Sequence, residues 1–164
     1  MKPNDIQSLP DMKIAVSHAT AILGKRKIFL CGGKCNYDKN ANEKIVQVFC
    51  INKMIWGTLP PAPIKLCTAF FAQERLTLLG GIECSSNTIV NKLFTFLEHE
   101  DKWENIYPPM KLARHRPGVI QHDNQLIVAG GKDVVTKTVC ITIEVLNVDT
   151  KQWFSPTFQL PSPM

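Results

Sequence analysis

The sequence lacks any apolar run that approaches the length of about 18 residues that a membrane-spanning helix needs. Its amino terminus reads MKPNDIQSLPDMK, which has prolines and acids where a signal peptide has an apolar core. The serine-hydrolase motif GxSxG, the zinc-protease motif HExxH and the Walker phosphate loop are missing as well. These absences favour a cytoplasmic protein that has no contact with membranes and no catalytic activity.

A concentrated basic region is also lacking. The chain of 164 residues has 19 Lys and Arg against 14 Asp and Glu, for a formal charge of +5, but the basic residues are scattered. The densest run, residues 25–27, falls at a predicted turn. A nucleic-acid-binding protein more often has a basic stripe interleaved with aromatic residues, so we expect no nucleic-acid partner.

Six cysteines are present, but their spacings match no zinc signature built from paired C-x2-C units. The stretch LCGGKC at residues 30–35 is the most suggestive, because two cysteines flank a glycine pair. It fits half of a metal site, a redox pair, a phosphate-binding turn or none of these. Four cysteines lie in apolar runs, where a thiol acts as a small hydrophobic residue. We favour a reduced protein without metal or cofactor.

Three internal repeats organise the chain. Gly-Gly recurs at spacings of 48 and 50 residues, and tryptophan recurs at spacings of 47 and 50. A bulky apolar residue stands seven residues before each tryptophan, and a proline-containing turn follows at Leu59-Pro-Pro, Tyr107-Pro-Pro and Leu160-Pro-Ser. The repeated residues are Gly32, Gly33, Phe49 and Trp56 in the first unit, Gly80, Gly81, Phe96 and Trp103 in the second, and Gly130, Gly131, Leu146 and Trp153 in the third.

The repeats decide how LCGGKC is interpreted. Its glycines recur in every unit, whereas Cys31 corresponds to Leu79 and Ala129, and Cys35 corresponds to acidic residues in the other two units. A metal or redox site is not expected where the sister units have leucine and alanine. We therefore predict that Cys31 fills the core and that Cys35 begins a surface loop.

Each unit has the period-two pattern of four short strands and no long helical stripe. The third unit, for example, predicts strands over residues 118–121, 125–129, 139–148 and 152–158. The turns between the first two strands, Gly24-Lys25 and Asp123-Asn124, have hairpin chemistry, and Gln73-Glu74 is the least typical of the three. Four antiparallel strands per unit of about 50 residues indicate a propeller blade. The fold class predicted is all-β, with three four-stranded antiparallel blades.

The combination resembles the kelch repeat, whose marks are a strand that ends in Gly-Gly, a variable loop, an aromatic residue and a tryptophan at a fixed distance. Here the strands read IFLCGG, LTLLGG and LIVAGG. The chain departs from the family pattern in having Phe49, Phe96 and Leu146 where the family usually has tyrosine. The resemblance implies a kelch-type β-propeller with blades at residues 11–62, 63–109 and 110–164, and residues 1–10 as a tail or the outer strand of a preceding blade.

Three blades cannot close a ring, because propellers have about four to eight. Residues 6–10, Ile-Gln-Ser-Leu-Pro, match residues 56–60 with isoleucine in place of tryptophan. The chain is therefore predicted to be an incomplete or open propeller, either part of a larger propeller protein or a half-ring that associates with another chain. An open arc exposes apolar blade faces, which favours self-association.

The resemblance implies a non-catalytic module that binds other proteins through its propeller loops. Kelch proteins often serve as substrate receptors in ubiquitin-ligase adaptors or as scaffold and cytoskeletal elements. The alternatives are a self-associating structural half-propeller and, with less support, a propeller enzyme. Copper-radical oxidases need tyrosine and histidine ligands and sialidases need an arginine cluster, but this chain has two tyrosines, four histidines without ligand-like pairing and four arginines.

Partner-binding candidates come from the repeat register. In several kelch adaptors, an R-x-R-x-G stretch directs an arginine into the recognition pocket, and Arg114-His115-Arg116-Pro117-Gly118 reproduces it. In that role Arg116 binds an acidic side chain of a peptide. The alternative is that Arg116 is a solvated loop arginine without a binding role. His18 and Leu66 hold the Arg116 position in the other units. The full candidate set, which includes the loops after each glycine pair, is Arg114, Arg116, His18, Asn36, Ser85 and Asp133.

Overall fold

The computed structural model describes residues 8–33, 44–133, 136 and 138–162, which form an all-β protein. Short strands with alternating apolar residues pair through tight turns into three four-stranded antiparallel sheets. These sheets are three successive blades of an incomplete β-propeller, which confirms the predicted all-β fold class. Within the described part of the chain, no helix has the length and apolar character needed to cross a membrane.

The strands follow chain order within each blade. Blade 1 contains β1 (Thr20–Gly24), β2 (Lys27–Cys31), β3 (Val46–Cys50) and β4 (Ile55–Leu59). Blade 2 contains β5 (Ile64–Lys65), β6 (Thr68–Ala72), β7 (Arg75–Leu79), β8 (Ile82–Glu83), β9 (Leu93–Leu97) and β10 (Lys102–Glu104), of which β5 and β8 form a separate two-stranded sheet. Blade 3 contains β11 (Gly118–His122), β12 (Gln125–Ala129), β13 (Ile143–Asn147) and β14 (Gln152–Phe154).

Several predicted boundaries differ from the structure, and the strand predicted over residues 152–158, for example, ends at Phe154. The predicted strand 139–148 begins only at Ile143, because Val139 bridges Lys132 and the amide of Cys140 donates to the carbonyl of Gly131 at 2.8 Å. The first hairpin turn lies one residue later than predicted, at residues 25–26. The blade boundaries at residues 62–63 and 109–110 stay a prediction.

The first two hairpin turns use left-handed residues without glycine. Lys25 and Arg26 have φ of 49° and 55°, and Gln73 and Glu74 have 47° and 59°. Positive φ at both central residues is the geometry of the tight turn that matches strand twist, and it is usually filled by Asn-Gly. The strand pairing on both sides therefore imposes a conformation that these side chains do not favour.

The second glycine of each pair allows a close approach of two backbone segments. At Gly33 and Gly131 the φ values are 104° and 85°. A Cβ at these positions would lie 2.9 Å from the carbonyl oxygen of Ser17 and 3.0 Å from that of His115, so any side chain would force the segments apart. Both carbonyls belong to the segment that leads into the innermost strand of the same blade. The glycine pair thus positions the start of that strand.

Each tryptophan ties its blade to the segment that precedes the blade. The indole N–H donates to a proline carbonyl in all three cases: Trp56 to Pro10 at 2.8 Å, Trp103 to Pro60 at 3.0 Å and Trp153 to Pro108 at 2.8 Å. All three indole rings are half-buried, and the ring of Trp56 lies 5.0 Å from that of Phe49 and the ring of Trp103 lies 5.2 Å from that of Phe96.

The last proline turn needs a correction of register. The amide of Leu160 donates to the carbonyl of Ile141 at 2.9 Å. The amide of Met110 makes the equivalent bond to Asn91, and that of Ala62 to Lys44. Leu160 therefore corresponds to Met110 and Ala62 rather than to Tyr107 and Leu59. The residue of blade 3 that corresponds to Pro60 and Pro108 is Phe158.

The core consists of two apolar clusters, one at each junction between blades. The cluster between blades 1 and 2 brings together Phe29, Val46, Ile64 and Leu78, and the ring of Phe29 lies 5.3 Å from that of Phe71. The cluster between blades 2 and 3 contains the residues Phe70, Leu79, Leu93, Tyr107, Met110, Leu126, Val128 and Leu146. Blade 2 is therefore packed on both faces and the outer blades on one.

Candidate recognition surface at the innermost strands

The innermost strands of the three blades, β1, β6 and β11, run side by side. The amide of Arg116 donates to the carbonyl of Leu66 at 3.1 Å, and the Thr68 hydroxyl donates to the carbonyl of Pro117 at 2.7 Å. On the other side, Thr20 Oγ1 accepts from the amide of Ala69 at 3.5 Å. These contacts fix the starts of the strands relative to one another.

His18, Leu66 and Arg116 occupy the same position in the three blades, two residues before the innermost strand. All three have left-handed backbones, with φ of 60°, 53° and 52°. Such a conformation is uncommon without glycine, and it persists only where the surroundings impose it. Together the three residues line one open cavity of about 340 Å³, whose other walls are residues 19–20 and 67–68. The structure therefore brings together the positions that the repeat register equates.

The cavity has a basic rim and an apolar side. Arg116 and His18 are exposed, whereas Leu66 is half-buried. Beside them, burial lowers the pKa of His115 below its ordinary value of 6.5, and the nearby charges of Arg116 and Lys132 lower it further. His115 is therefore neutral at neutral pH, and the positive charge of this region comes from the arginine and lysine side chains. An anionic group is the ligand that this field favours.

Arg114 must be removed from the partner-binding candidates. Its side chain is fully buried, and its guanidinium donates to Glu144 Oε1 at 2.6 Å, to the Gly130 carbonyl at 2.9 Å and to Thr142 Oγ1 at 3.0 Å. The prediction was wrong because an extended backbone would place residues 114 and 116 on the same side, whereas Arg116 has a left-handed backbone with φ of 52° and stays at the surface while Arg114 is buried. Arg114 thus has a structural role inside its own blade.

Sequence reasoning missed Glu144, which anchors the segment that enters blade 3. It is 2% exposed, and besides Arg114 it accepts from the amides of Lys111 and Leu112 at 2.6 and 3.2 Å. The repeat register held the signal, because residue 144 corresponds to Gln47 and Phe94, which are also buried. At this position blade 3 has a carboxylate, blade 1 has an amide and blade 2 has a phenyl ring.

The remaining candidates lie outside the cavity wall. Ser85 is exposed and Asp133 is half-buried, with the amide of Asp133 donating to the Thr138 carbonyl at 3.0 Å. Asn36 lies outside the described residues, and so does Cys35. A partner-binding role for Ser85, Asp133 and Asn36 stays a prediction.

Cys31, Cys50, Cys67 and Cys140 are free thiols. Cys31 is buried in the core as predicted, and burial raises its pKa well above the ordinary value. Burial also raises the pKa of Cys67, which lines the cavity, to about 12. Within the described ranges, histidine, cysteine, aspartate and glutamate form no group of three that is placed to hold a metal ion.

Comparison with known proteins agrees with this architecture. The family model described as the Kelch motif matches residues 113–155. The chain is 26% identical over 133 residues to Kelch-like protein terF of Aspergillus terreus (strain NIH 2624 / FGSC A1156), which covers 77% of this chain and 29% of that protein. It is 25% identical over 159 residues to Kelch-like protein 23 of Homo sapiens, which covers 95% of this chain and 27% of that protein.

A solved structure, that of YjhT, supports the fold. It superposes with a TM-score of 0.73 at 13% identity, over 90% of this chain and 53% of that one. The three blades therefore have the curvature of about half of a solved chain of this fold. The chain also spans less than a third of the length of the two curated relatives.

Proposed function

We propose that this chain, which is a kelch-repeat protein, is a non-catalytic module that binds other proteins through the cavity at its innermost strands. The observation that carries the proposal is the meeting of His18, Leu66 and Arg116 at one cavity, each from a different blade and each with a left-handed backbone. Residues that differ in chemistry at equivalent positions of a rigid scaffold are typical of a recognition surface. Kelch repeats generally mediate contacts between proteins.

The chemistry of the cavity favours an acidic segment of a partner protein. The exposed guanidinium of Arg116 presents two parallel N–H donors, which match the two oxygens of a carboxylate. His18 adds a polar group on the opposite wall, and Leu66 adds apolar surface between them. We therefore expect a short extended peptide with an Asp or Glu next to an apolar residue.

Several contacts support a binding role rather than catalysis. The thiol of Cys67 stays protonated at neutral pH, because burial raises its pKa to about 12, and a protonated thiol is a poor nucleophile. The hydroxyl of Thr68 donates its proton to the Pro117 carbonyl at 2.7 Å, so it is engaged in a structural hydrogen bond. His18 Nδ1 lies 3.2 Å from Ser17 Oγ, but the pair is exposed, and no carboxylate among the described residues orients the ring.

Selection from a phage library of random peptides tests the proposal, with the whole chain as bait. We expect the selected peptides to be enriched in Asp and Glu and to lose most of their binding to Arg116→Ala. Arg26→Ala is a matched control, because Arg26 is also exposed and left-handed but lies in the β1–β2 turn. Selected peptides that bind the wild type and Arg116→Ala equally would overturn the proposed site.

The wider role belongs to the whole protein. The chain covers 29% and 27% of its two curated relatives, so substrate recognition in a ubiquitin-ligase adaptor and a scaffold or cytoskeletal role are proposals for a longer assembly. Both use the same recognition surface. They differ in the companion domain, which an affinity purification of the full-length gene product would identify.

A further inference from the structure

The two ends of the three-blade arc expose apolar side chains, whereas the middle does not. Among the described residues, ten large apolar side chains are exposed, and none lies in residues 63–109 of blade 2. We call the side of each blade that faces the following blade its leading face and the opposite side its trailing face. The exposed set is Leu9, Met12, Leu23, Ile51, Ile55, Leu112, Ile120, Val139, Phe154 and Phe158.

The leading face of blade 3 repeats a surface that is covered in blades 1 and 2. Ile120 corresponds to Ile22 and Phe70, and each of these two packs into the cluster shared with the following blade. Ile120 itself is 63% exposed. Phe154 lies on the same side, because its neighbour Trp153 packs on the trailing side. The leading face of blade 3 is therefore an apolar packing surface without a neighbour among the described residues.

Polar contacts between the hairpins of neighbouring blades also recur along the arc, and the contact expected at the end of blade 3 is missing among the described residues. The β1–β2 turn contacts the outer hairpin of the next blade through Lys25 and Glu98 at 3.5 Å. The equivalent contact between blades 2 and 3 joins Gln73 to Asp149 at 3.3 Å. In blade 3 the corresponding residue is Asp123, whose side chain is 87% exposed. To make the equivalent contact, Asp123 requires the outer hairpin of a following blade with a hydrogen-bond donor or a positive charge.

Blade 1 supplies a hairpin of that kind. Its outer turn, residues 51–54, corresponds to the turns that hold Glu98 and Asp149, and it contains Asn52 and the exposed Lys53. The trailing face of blade 1 is also uncovered: Leu23 corresponds to Phe71, which packs on blade 1, yet Leu23 is 64% exposed. The two ends of the arc therefore match each other in charge and in apolar character.

The hydrogen bond between an indole N–H and a backbone carbonyl also recurs along the arc, and its acceptor in blade 3 has no tryptophan partner among the described residues. Pro10, Pro60 and Pro108 accept the three indole N–H groups, and the corresponding carbonyl in blade 3 is that of Phe158. The chain has three tryptophans, and all of them are engaged. Phe158 is 65% exposed. A tryptophan from another blade is the donor that this position fits.

The segment that now occupies the equivalent position in blade 1 is weakly held. Residues 8–13 are all exposed, and the bond between Trp56 and Pro10 attaches them. From Ile14 onward the chain is anchored, because the buried Gln47 side chain both donates to and accepts from the Ile14 backbone, at 2.8 and 2.9 Å. Residues 8–12 can therefore leave Trp56 without loss of the Gln47 contacts.

We propose that two copies of this chain close one ring, with the leading face of blade 3 docked on the trailing face of blade 1 of the second copy. Asp123 then faces Lys53 of the second copy, and Ile120 and Phe154 pack on the side that bears Leu23. The Phe158 carbonyl replaces that of Pro10 as acceptor for Trp56 of the second copy. The contact is made twice, so six blades close without a free face.

The overlap with YjhT is consistent with this geometry, because three blades cover 53% of that solved chain. The ring also joins two recognition cavities around one channel, each with its own His18, Leu66 and Arg116. This self-association is independent of the acidic peptide proposed above, since Arg116 lies at the innermost strands and the docking faces lie at the ends of the arc.

Light scattering coupled to size-exclusion chromatography of the whole chain tests the ring. The expected mass is twice the 18.4 kDa of one chain. Asp123→Lys and Lys53→Asp are each expected to raise the dissociation constant on the order of tenfold, and the two together in one chain to restore it. Asp101→Lys is the matched control, because Asp101 is also an exposed, left-handed turn aspartate but lies in blade 2.

Two further variants test the apolar face and the exchange of segments. Ile120→Asp is expected to give a monomer with an unchanged circular dichroism spectrum, and removal of residues 1–11 is expected to favour the dimer at lower concentration. A monomer at every concentration or a particle larger than two chains would overturn the proposal. A dimer whose dissociation constant is unchanged in both Asp123→Lys and Lys53→Asp would overturn it as well.

Discussion

The carboxylate of Glu144 accepts a hydrogen bond of 2.6 Å from the guanidinium of Arg114, with both side chains buried inside blade 3. The same positions in blade 2 hold Ile64 and Phe94, which are buried as well. The same two buried positions are therefore filled by an ion pair in blade 3 and by two apolar side chains in blade 2. This internal comparison makes the energetics of the pair directly testable.

Removal of one partner is expected to be far worse than replacement of both. Arg114→Ile or Glu144→Phe alone leaves an uncompensated buried charge and is expected to lower the free energy of unfolding by about 3–5 kcal/mol. The double variant, which copies blade 2, is expected to recover most of that loss. Urea unfolding of all four proteins provides the measurement. A double variant as unstable as the worse single variant would contradict this explanation.

Gln47 is expected to stabilise the entry into blade 1 through hydrogen bonds alone. Its amide makes two bonds to the Ile14 backbone, and Gln47→Leu leaves both backbone groups unpaired. We expect a loss of about 1–3 kcal/mol in the free energy of unfolding. Hydrogen exchange should show faster exchange of the Ile14 amide. Gln152→Leu is a control, because Gln152 is exposed on β14; an equal loss in both variants would exclude the hydrogen bonds as the cause.

The tryptophans are expected to act through ring packing more than through the indole N–H. Trp103→Phe keeps an aromatic ring against Phe96 but removes the bond to Pro60, so the expected loss is about 1 kcal/mol. Trp103→Ala also empties the site, and we expect about 3 kcal/mol, the lower end for aromatic truncation, because the ring is half-buried. Thermal unfolding of both variants separates the two contributions. Equal losses would show that the hydrogen bond dominates.

His115 is expected to make the stability depend on pH. Its folded-state pKa is lowered below 6.5 by burial and by Arg116 and Lys132, so the folded protein binds a proton less readily than the unfolded chain does. The stability contribution is therefore present above 6.5 and is lost as the pH falls through the folded-state pKa. His115→Asn is expected to flatten this part of the profile relative to the wild type. A profile that stays the same in His115→Asn would contradict this explanation.

The repeat register explains why so much of the fold was predictable from sequence. Gly33 and Gly131 recur because a Cβ would meet a carbonyl, and Trp103 and Trp153 recur because each donates to the preceding segment. These requirements are the same in every blade. They fix residue type at fixed spacing, which is what a sequence comparison detects.

The missed features are those in which the blades differ. The motif R-x-R-x-G does not reveal that Arg114 is buried and Arg116 exposed, since the left-handed backbone at Arg116 interrupts the alternation that two residues at this spacing would otherwise follow. Glu144 lies in a strand with no polar partner nearby in sequence, and its contacts come from residues 30 or more positions away. The misaligned Leu160 shows the same problem, because proline spacing suggested one register and the backbone bond to Ile141 fixes another.

Mapping of the peptide contact by NMR tests the central claim most directly. With an acidic peptide from the phage selection, amide shifts of the wild-type chain are expected to move at His18, Leu66 and Arg116 together, one position in each blade, and at the neighbouring residues 67–68. A peptide whose glutamate is replaced by glutamine should produce much smaller changes at the same amides. Shifts confined to the outer hairpins or to a single blade would contradict the account.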